Sequence, residues 1–274
     1  MSATDLVTRL HAQGLTFTQI SQVSGMSRVD TMAALQDAGV SKKSISNPTE
    51  LTSWAEAVLL GTMLGDGNIR SKRPSESPHF QMSHALAQKE YLCWKVEQLE
   101  ELFLAAAPAS NVDEEGHASV HVSSRAMPLL KHYRQLFYPN EKKKIDAALL
   151  SRVASHDFRD AILAVWFGDD GYRTSGNGRS LGFCLGGLEE QDFELIALWL
   201  TEQGFDGVLH KHMGRASYRY YLMRVSAAHR FRDVIAPYLP ECMHYKLDIG
   251  PPRKIRRSRV KGPVAVVSDE NRGV

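Results

Sequence analysis

Two stretches of the chain end alike: Leu59-Leu60-Gly61-Thr62-Met63-Leu64-Gly65-Asp66-Gly67 and Leu163-Ala164-Val165-Trp166-Phe167-Gly168-Asp169-Asp170-Gly171. Each closes an apolar helical run, over 51–64 and 158–168, with an Asp-Gly stop in which Gly suits the left-handed cap conformation. Small residues recur four apart, Gly61 with Gly65 and Ala164 with Gly168. One face of each helix therefore admits a second helix at close range. The terminal Asp is awkwardly placed, because a helix C-terminus carries partial negative charge and disfavours a carboxylate by about 0.3–1 kcal/mol. Two such ends brought together repel further, and a divalent cation between them offsets both effects. Hard oxygen donors favour Mg2+, with Mn2+ able to substitute. Cations flanking a phosphate stabilise an in-line displacement, so the pattern points to phosphodiester hydrolysis.

Working outward, the order of elements repeats. After the first Asp-Gly come polar strand-like residues (69–84), a helix over about 88–106 and an alternating strand at 118–124. After the second come a strand at 181–185, a helix at 190–203, strands near 207–212 and 218–225, and a helix over 227–238. Asp66 precedes the aromatic Tyr91 by 25 residues and Asp170 precedes Phe193 by 23. Two similar units of this kind imply an α+β fold with pseudo-twofold symmetry. The boundaries expected are a helical unit at 1–45, a linker at 46–52 that begins in the polar stretch SKKSISNPTE (41–50), halves at 53–150 and 151–250, and a basic tail at 251–274. In the first unit Leu6, Leu10, Phe17, Ile20, Val23, Met32 and Leu35 recur at helical spacing, and Ser27 is placed to cap a helix starting near Arg28.

The 274 residues carry a net charge of only +2, so the distribution of charge has to decide between partners. Three dispersed cysteines (Cys93, Cys184, Cys242) with no CxxC pair argue against a zinc site or a disulfide framework, and suggest buried or inert thiols in a reducing, intracellular compartment. The start lacks a signal-peptide apolar core, and the longest apolar run, Ala161 to Phe167, is far too short for a bilayer. Secretion and a membrane are not expected. His117, His121, His210 and His212 lack partners spaced for zinc and read as surface residues. Trp54, Trp94, Trp166 and Trp199 read as core.

Both nonapeptides resemble the LAGLIDADG motif of homing endonucleases. The flanks LLGTMLGDGNIRS…FQMSHALAQKEYLCWK, Lys142-Lys143-Lys144-Ile145, AVWFGDDG and IAPYLPECMHYKLD extend the resemblance over roughly 51–249. It implies two αββαββα halves around paired motif helices, with two saddle-shaped sheets along a DNA major groove. It further implies a monomer that cuts a long, non-palindromic duplex site and leaves short 3′ overhangs, in the setting of intron or intein mobility. Carried over by residue, Asp66 and Asp170 are the catalytic carboxylates, Gly65 and Asp169 join them at the metal, and Lys143 and Lys246 are the active-site lysines. A shift of one in register would give Lys142 or Lys144 that role. Thr62, Asp169 and Val165 depart from the motif's usual residues.

Arg70, Lys72, Arg73, Gln81 and Ser83 follow the first motif, and Arg173, Ser175, Asn177 and Arg179 the second. These residue types contact phosphates and base edges. Phe17 to Arg28 resembles a helix-turn-helix, with Ser21 at the helix crossing, Gly25 in the turn and Arg28 opening the recognition helix. Arg253, Arg256 and Arg257 of the tail would add salt-dependent phosphate affinity. Two other readings fit the same scaffold: an RNA maturase that binds intron RNA, and a non-catalytic DNA-binding regulator.

Overall fold

A computed structural model describes residues 2–12, 17–40, 49–71, 73, 75–103, 107–174, 180–211, 217–222 and 224–250. The linker residues 41–48 and the tail 251–274 lie outside them. The first half runs α4 (Ser53–Leu64), β1 (Asn68–Arg70), β2 (His79–Ala85), α5 (Lys89–Gln98), a short α6 (Glu100–Phe103), β3 (Ala109–Val112), β4 (Ala118–Ser123) and α7 (Leu130–Phe137). Helix α8 (Ala147–Ala154) leads into the second half. That half runs α9 (Arg159–Asp170), β5 (Gly171–Arg173), β6 (Leu181–Gly186), α10 (Glu190–Glu202), β7 (Val208–Lys211), β8 (Ser217–Leu222) and α11 (Val225–Ile235). Each half is αββαββα. Each builds a four-stranded antiparallel sheet in the same order, β1-β2-β4-β3 and β5-β6-β8-β7. The duplication read from element order is therefore a duplication of topology.

Alternation decides which face of each strand is buried. Phe80, Met82 and His84 of β2 point inward with Val120 and Val122 of β4. Leu181, Phe183 and Leu185 of β6 do so with Tyr218, Tyr220 and Leu222 of β8. Helix α4 is apolar nearly all round, with Ala55 and residues 57–64 all buried, as befits a helix at the centre of a core. Thr52 caps its start, accepting from the Ala55 amide at 3.1 Å. Thr62, at an apolar position of the motif, is fully buried and donates its hydroxyl to Val58 O at 2.8 Å, so it carries no unmet polar cost.

The N-terminal unit is three helices, α1 (Ala3–Ala12), α2 (Phe17–Ser24) and α3 (Arg28–Asp37), closed on its own core of Val7, Leu10, Ile20, Ala34 and Leu35. Ser27 accepts from the Asp30 amide at 3.2 Å and caps α3. Gly25 takes φ 68°, the left-handed turn that its lack of a Cβ permits. Ser21 donates to Met26 O at 2.6 Å and ties α2 to that turn.

Several expectations are corrected. The boundary at 150/151 cuts α8, whose Leu149, Leu150 and Val153 belong to one core shared by both halves. The helix expected over 88–106 is broken: α5 ends at Gln98, Leu99 is a turn, and α6 is a separate short helix. Strand β8 covers Ser217–Leu222 and α11 Val225–Ile235, against the expected 218–225 and 227–238, with Ala236–Tyr238 a 3-10 turn. Val23 is 61% exposed, outside the small core. Cys184 is exposed rather than buried, on the outward face of β6. No helix among the described residues is long and apolar enough to cross a membrane.

Candidate active site

Helices α4 and α9 meet at glycine. A Cβ on Gly61 would sit 2.7 Å from Ile162 O and 2.7 Å from Val165 Cβ, and one on Gly65 would sit 2.7 Å from Asp169 Oδ2. The small residues of α4 thus do what their spacing suggested. Those of α9 differ: Gly168 makes room for Tyr91, whose hydroxyl a Cβ there would strike. Tyr91 is fully buried and donates to Val165 O at 2.9 Å, pinning α5 onto α9.

The approach brings the two motif ends to one cavity of about 310 Å³, lined by Leu64, Gly65, Asp66, Lys143, Asp170, Cys184, Leu185, Gly186 and Leu188. Asp66 stands just past the end of α4, its side chain 44% exposed. Asp170 is in the last turn of α9 and accepts the Trp166 indole N–H at 3.1 Å, one turn back in the same helix. Trp166 is thus a partner of the site as well as core. Burial pushes both carboxyls up. For Asp66 the charge of Asp169 adds to that push, against His84, Lys95 and Lys143. For Asp170 burial together with Asp66 and Asp169 carries it to about 8.

Two lysines stand at the helix ends. Lys143 donates to Gly65 O at 2.7 Å, and Lys246 donates to Gly168 O at 2.7 Å and to Asp169 O at 3.2 Å. Gly65 and Asp169 occupy the same place in the two motifs, so the two lysines are pseudo-symmetric partners. Each places positive charge at a helix C-terminus, where the dipole favours it. Burial lowers the affinity of both ammonium groups for their protons, and the motif acids oppose that shift. Of the run 142–144, Lys143 is the lysine that lines the cavity.

Behind Asp66 lies a buried polar group that joins Asp169 to two residues the sequence reading does not name, His84 and Lys95. Asp169, with a fully buried side chain, forms an ion pair through Oδ1 with Lys95 Nζ, also fully buried. Its Oδ2 accepts the Asp66 amide at 3.2 Å. Lys95 Nζ lies 3.2 Å from His84 Nε2, and His84 Nδ1 lies 3.5 Å from Asp66 Oδ2. An ammonium has only protons to give, so Nε2 accepts and the ring proton sits on Nδ1, facing Asp66. Burial, aided by Lys95, lowers the imidazole to about 3 and keeps it neutral. Ligand atoms of Asp66, His84 and Asp169 lie within 4.8 Å of one another. The Lys95 ammonium already serves Asp169 as its cation.

The fit to a divalent cation rests on the other pair. Asp66 and Asp170 are partly desolvated, each is raised further by a neighbouring carboxylate (Asp66 by Asp169, Asp170 by Asp66 and Asp169), and they share a cavity with the Gly65 backbone, a set of hard oxygen donors. The remaining expected residues are more scattered. Arg70 and Arg73 are exposed, the latter 3.7 Å from Glu76. Gln81 and Ser83 lie on the outward face of β2, bonded to Ser123 Oγ at 3.2 Å and Val120 O at 3.3 Å. Arg173 is exposed and donates to Asp248 O at 2.9 Å. Lys72, Ser175, Asn177, Arg179, Arg253, Arg256, Arg257 and His212 lie outside the described residues, as does the side chain of Arg28. His117, His121 and His210 are exposed, as expected. Trp199 is buried in the core, and Trp54 and Trp94 pack against it partly buried.

Residues 56–231 match the model of the LAGLIDADG DNA endonuclease family. The chain is 26% identical over 231 residues to Protein RecA of Mycolicibacterium chitae, covering 80% of this chain and 51% of that protein. It is also 26% identical over 212 residues to DNA endonuclease I-ChuI of Chlamydomonas applanata, covering 73% of this chain and 97% of that one. The chain spans about half the length of the RecA-named relatives it matches first. The homing endonuclease I-WcaI, solved bound to its DNA recognition sequence, shares the fold. The two superpose with a TM-score of 0.64 at 19% identity over 80% of this chain and 93% of that one.

Proposed function

This chain belongs to the LAGLIDADG DNA endonuclease family, and from that premise we propose that it cuts both strands of duplex DNA at one long, non-palindromic site, with Mg2+ as the working cation. The observation that carries the reading is the convergence of Asp66 and Asp170, one from each motif, on a single cavity with Lys143. Burial and neighbouring carboxylates, Asp169 beside Asp66 and both Asp66 and Asp169 beside Asp170, push both carboxyls up. A divalent cation bound there would supply Lewis-acid polarisation of a phosphate oxygen. Asp66, Asp170 and the Gly65 carbonyl would hold it.

The protein's own residues do the rest. Lys143 and Lys246 are anchored by backbone carbonyls at the two helix ends, with protons left to offer an incoming phosphate. Each would set positive charge beside a phosphate bound between the motif ends, and an oriented charge of this kind needs no reorganisation during reaction. Trp166 holds Asp170, and the Gly61 contact keeps the two acids at a set separation. Both motifs come from one chain, so a monomer carries the whole site. The outward-facing Gln81 and Ser83 and the exposed Arg70 and Arg173 offer donors of the kind that read base edges and phosphates. The capped α3 and the Gly25 turn support a helix-turn-helix that extends the footprint. Relatives named RecA that are about twice the matched length fit an element carried within a host polypeptide, the setting of intron or intein mobility.

The test is cleavage of a randomised duplex library in Mg2+, with Asp66→Asn and Asp170→Asn alongside wild type. Discrete cuts with short 3′ overhangs, absent in both variants and in chelator, are expected. Tight duplex binding by wild type with no cutting in Mg2+ or Mn2+ overturns the reading, and binding to structured RNA instead would favour a maturase.

A further inference from the structure

The two halves share a topology but not their polar interiors. His84 is the third inward position of β2, and the third inward position of β6 is Leu185. Lys95 lies four residues beyond Tyr91 in α5, and four beyond the equivalent Phe193 in α10 is Ala197. Asp169 is matched in the first motif by Gly65. Every member of the buried group behind Asp66 therefore has an apolar or side-chain-less counterpart in the other half.

The group closes a ring drawn from four elements. Its contacts run from the Asp66 amide to Asp169 Oδ2, from Asp169 Oδ1 to Lys95 Nζ, from Lys95 Nζ to His84 Nε2, and from His84 Nδ1 back to Asp66 Oδ2. Asp66 is held by a hydrogen bond at its backbone amide, and its carboxylate lies 3.5 Å from the His84 ring. Among the described residues Asp170 has a different arrangement, a single indole N–H from its own helix. The residue matching Trp166 in the first motif is Thr62, whose hydroxyl is turned back to Val58 O and gives Asp66 nothing.

Resting on the endonuclease reading, we propose that His84, Lys95 and Asp169 are positioning residues that fix Asp66 through a ring with no counterpart around Asp170, so that the two strands of the duplex are cut by sites of unequal construction. Removing one charge of the Lys95–Asp169 pair strands the other in the core and destabilises the fold. Removing both does not. That difference separates positioning from mere support.

The experiment compares wild type with Lys95→Met, Asp169→Asn, the Lys95→Met/Asp169→Asn double variant and His84→Leu. Thermal midpoints are measured for each. Single-turnover cutting in Mg2+ is measured with each strand labelled separately, on a duplex recovered from the randomised library. Both single charge variants are expected to melt lower, and the double variant to recover most of the loss. All four variants, the recovered double included, are expected to slow one and the same strand by about ten- to a hundredfold relative to the other, the usual cost of losing a group that orients a metal ligand. A double variant that recovers both its melting point and the wild-type ratio of strand rates overturns the proposal, because the ring would then be support only. A wild type that cuts no duplex in the library overturns the endonuclease reading, and the proposal falls with it.

Discussion

Gly61→Ala adds one methyl group at the closest approach of the two motif helices. That methyl would stand 2.7 Å from Ile162 O and 2.7 Å from Val165 Cβ, against an ordinary contact of 3.4 Å or more. Neither neighbour is the loose end of a side chain, so relief has to come from the helices moving apart by about 0.7 Å. Overpacking of this kind costs about 1–3 kcal/mol. Alanine's better helix propensity returns about 0.8–1 kcal/mol. The net is a loss of up to about 2 kcal/mol, or a fall of up to several degrees in melting temperature at roughly 2–4 °C per kcal/mol. Asp66 and Asp170 hang from the ends of these helices, so cutting should slow as well, by up to about a hundredfold if the acids shift by 1 Å. Scanning calorimetry and single-turnover cleavage read the two effects. Val165→Gly in the same chain removes one of the two collisions and should restore part of the stability, a coupling that single variants alone would not show. A Gly61→Ala protein that melts above the wild-type temperature and cuts at the wild-type rate refutes the packing argument outright.

Other consequences can be checked by melting curves. Burial alone would raise the Glu56 carboxyl, but Arg152 at 2.6 Å, Tyr133 at 3.1 Å and His156 at 3.6 Å outweigh it and hold the group below its ordinary value. A depressed acid contributes stability above its unfolded value of 4.5 that is lost as pH falls through the folded one. Glu56→Gln should therefore cost about 1.5–3 kcal/mol at neutral pH, with the gap to wild type closing in acid; an equal gap at all pH values would contradict this. Asp170 runs the other way: its carboxyl is raised to about 8, so the folded protein keeps a proton that the unfolded chain releases. Stability should fall as pH rises from the unfolded value of 3.8 towards 8. Asp170→Asn, measured in chelator, should then melt higher than wild type by a margin that grows over that window, and a variant less stable than wild type at pH 8 would sink the argument. Tyr91→Phe loses a buried hydrogen bond to Val165 O and should cost about 1 kcal/mol, which urea unfolding would register.

Much of this architecture is legible in the chain because its determinants are local. The Asp-Gly ends, the four-residue spacing of Gly61 and Gly65, and the Ser27 and Gly25 signals of the N-terminal unit all act within a turn or two. The site's acids and Lys143 also follow from short motifs. What escaped is what depends on distance. Lys95 looks like any lysine on a helix, and only a partner 74 positions away explains its burial. His84 sits at an inward position of a strand whose other inward residues are apolar, and alternation alone gives no reason for a histidine there. The tie from Trp166 to Asp170 is different: the four-residue spacing is visible in the sequence, but the apolar run around the indole points to core and hides its polar role. The helix break at Leu99 carried no glycine or proline to mark it.

The contact between α4 and α9 also bears on what each half would do without the other. Gly61 faces Val165, and Gly65 faces Asp169, so one helix supplies hollows and the other supplies what fills them. Two first halves laid together would set hollow against hollow and leave a void. Two second halves would set valine against valine and one buried carboxylate against another. Neither like pair closes, and only the unlike pair does. Chain duplication is thus recorded in the interface as a preference for hetero-pairing, and separately produced halves mixed in solution would be expected to find each other rather than themselves.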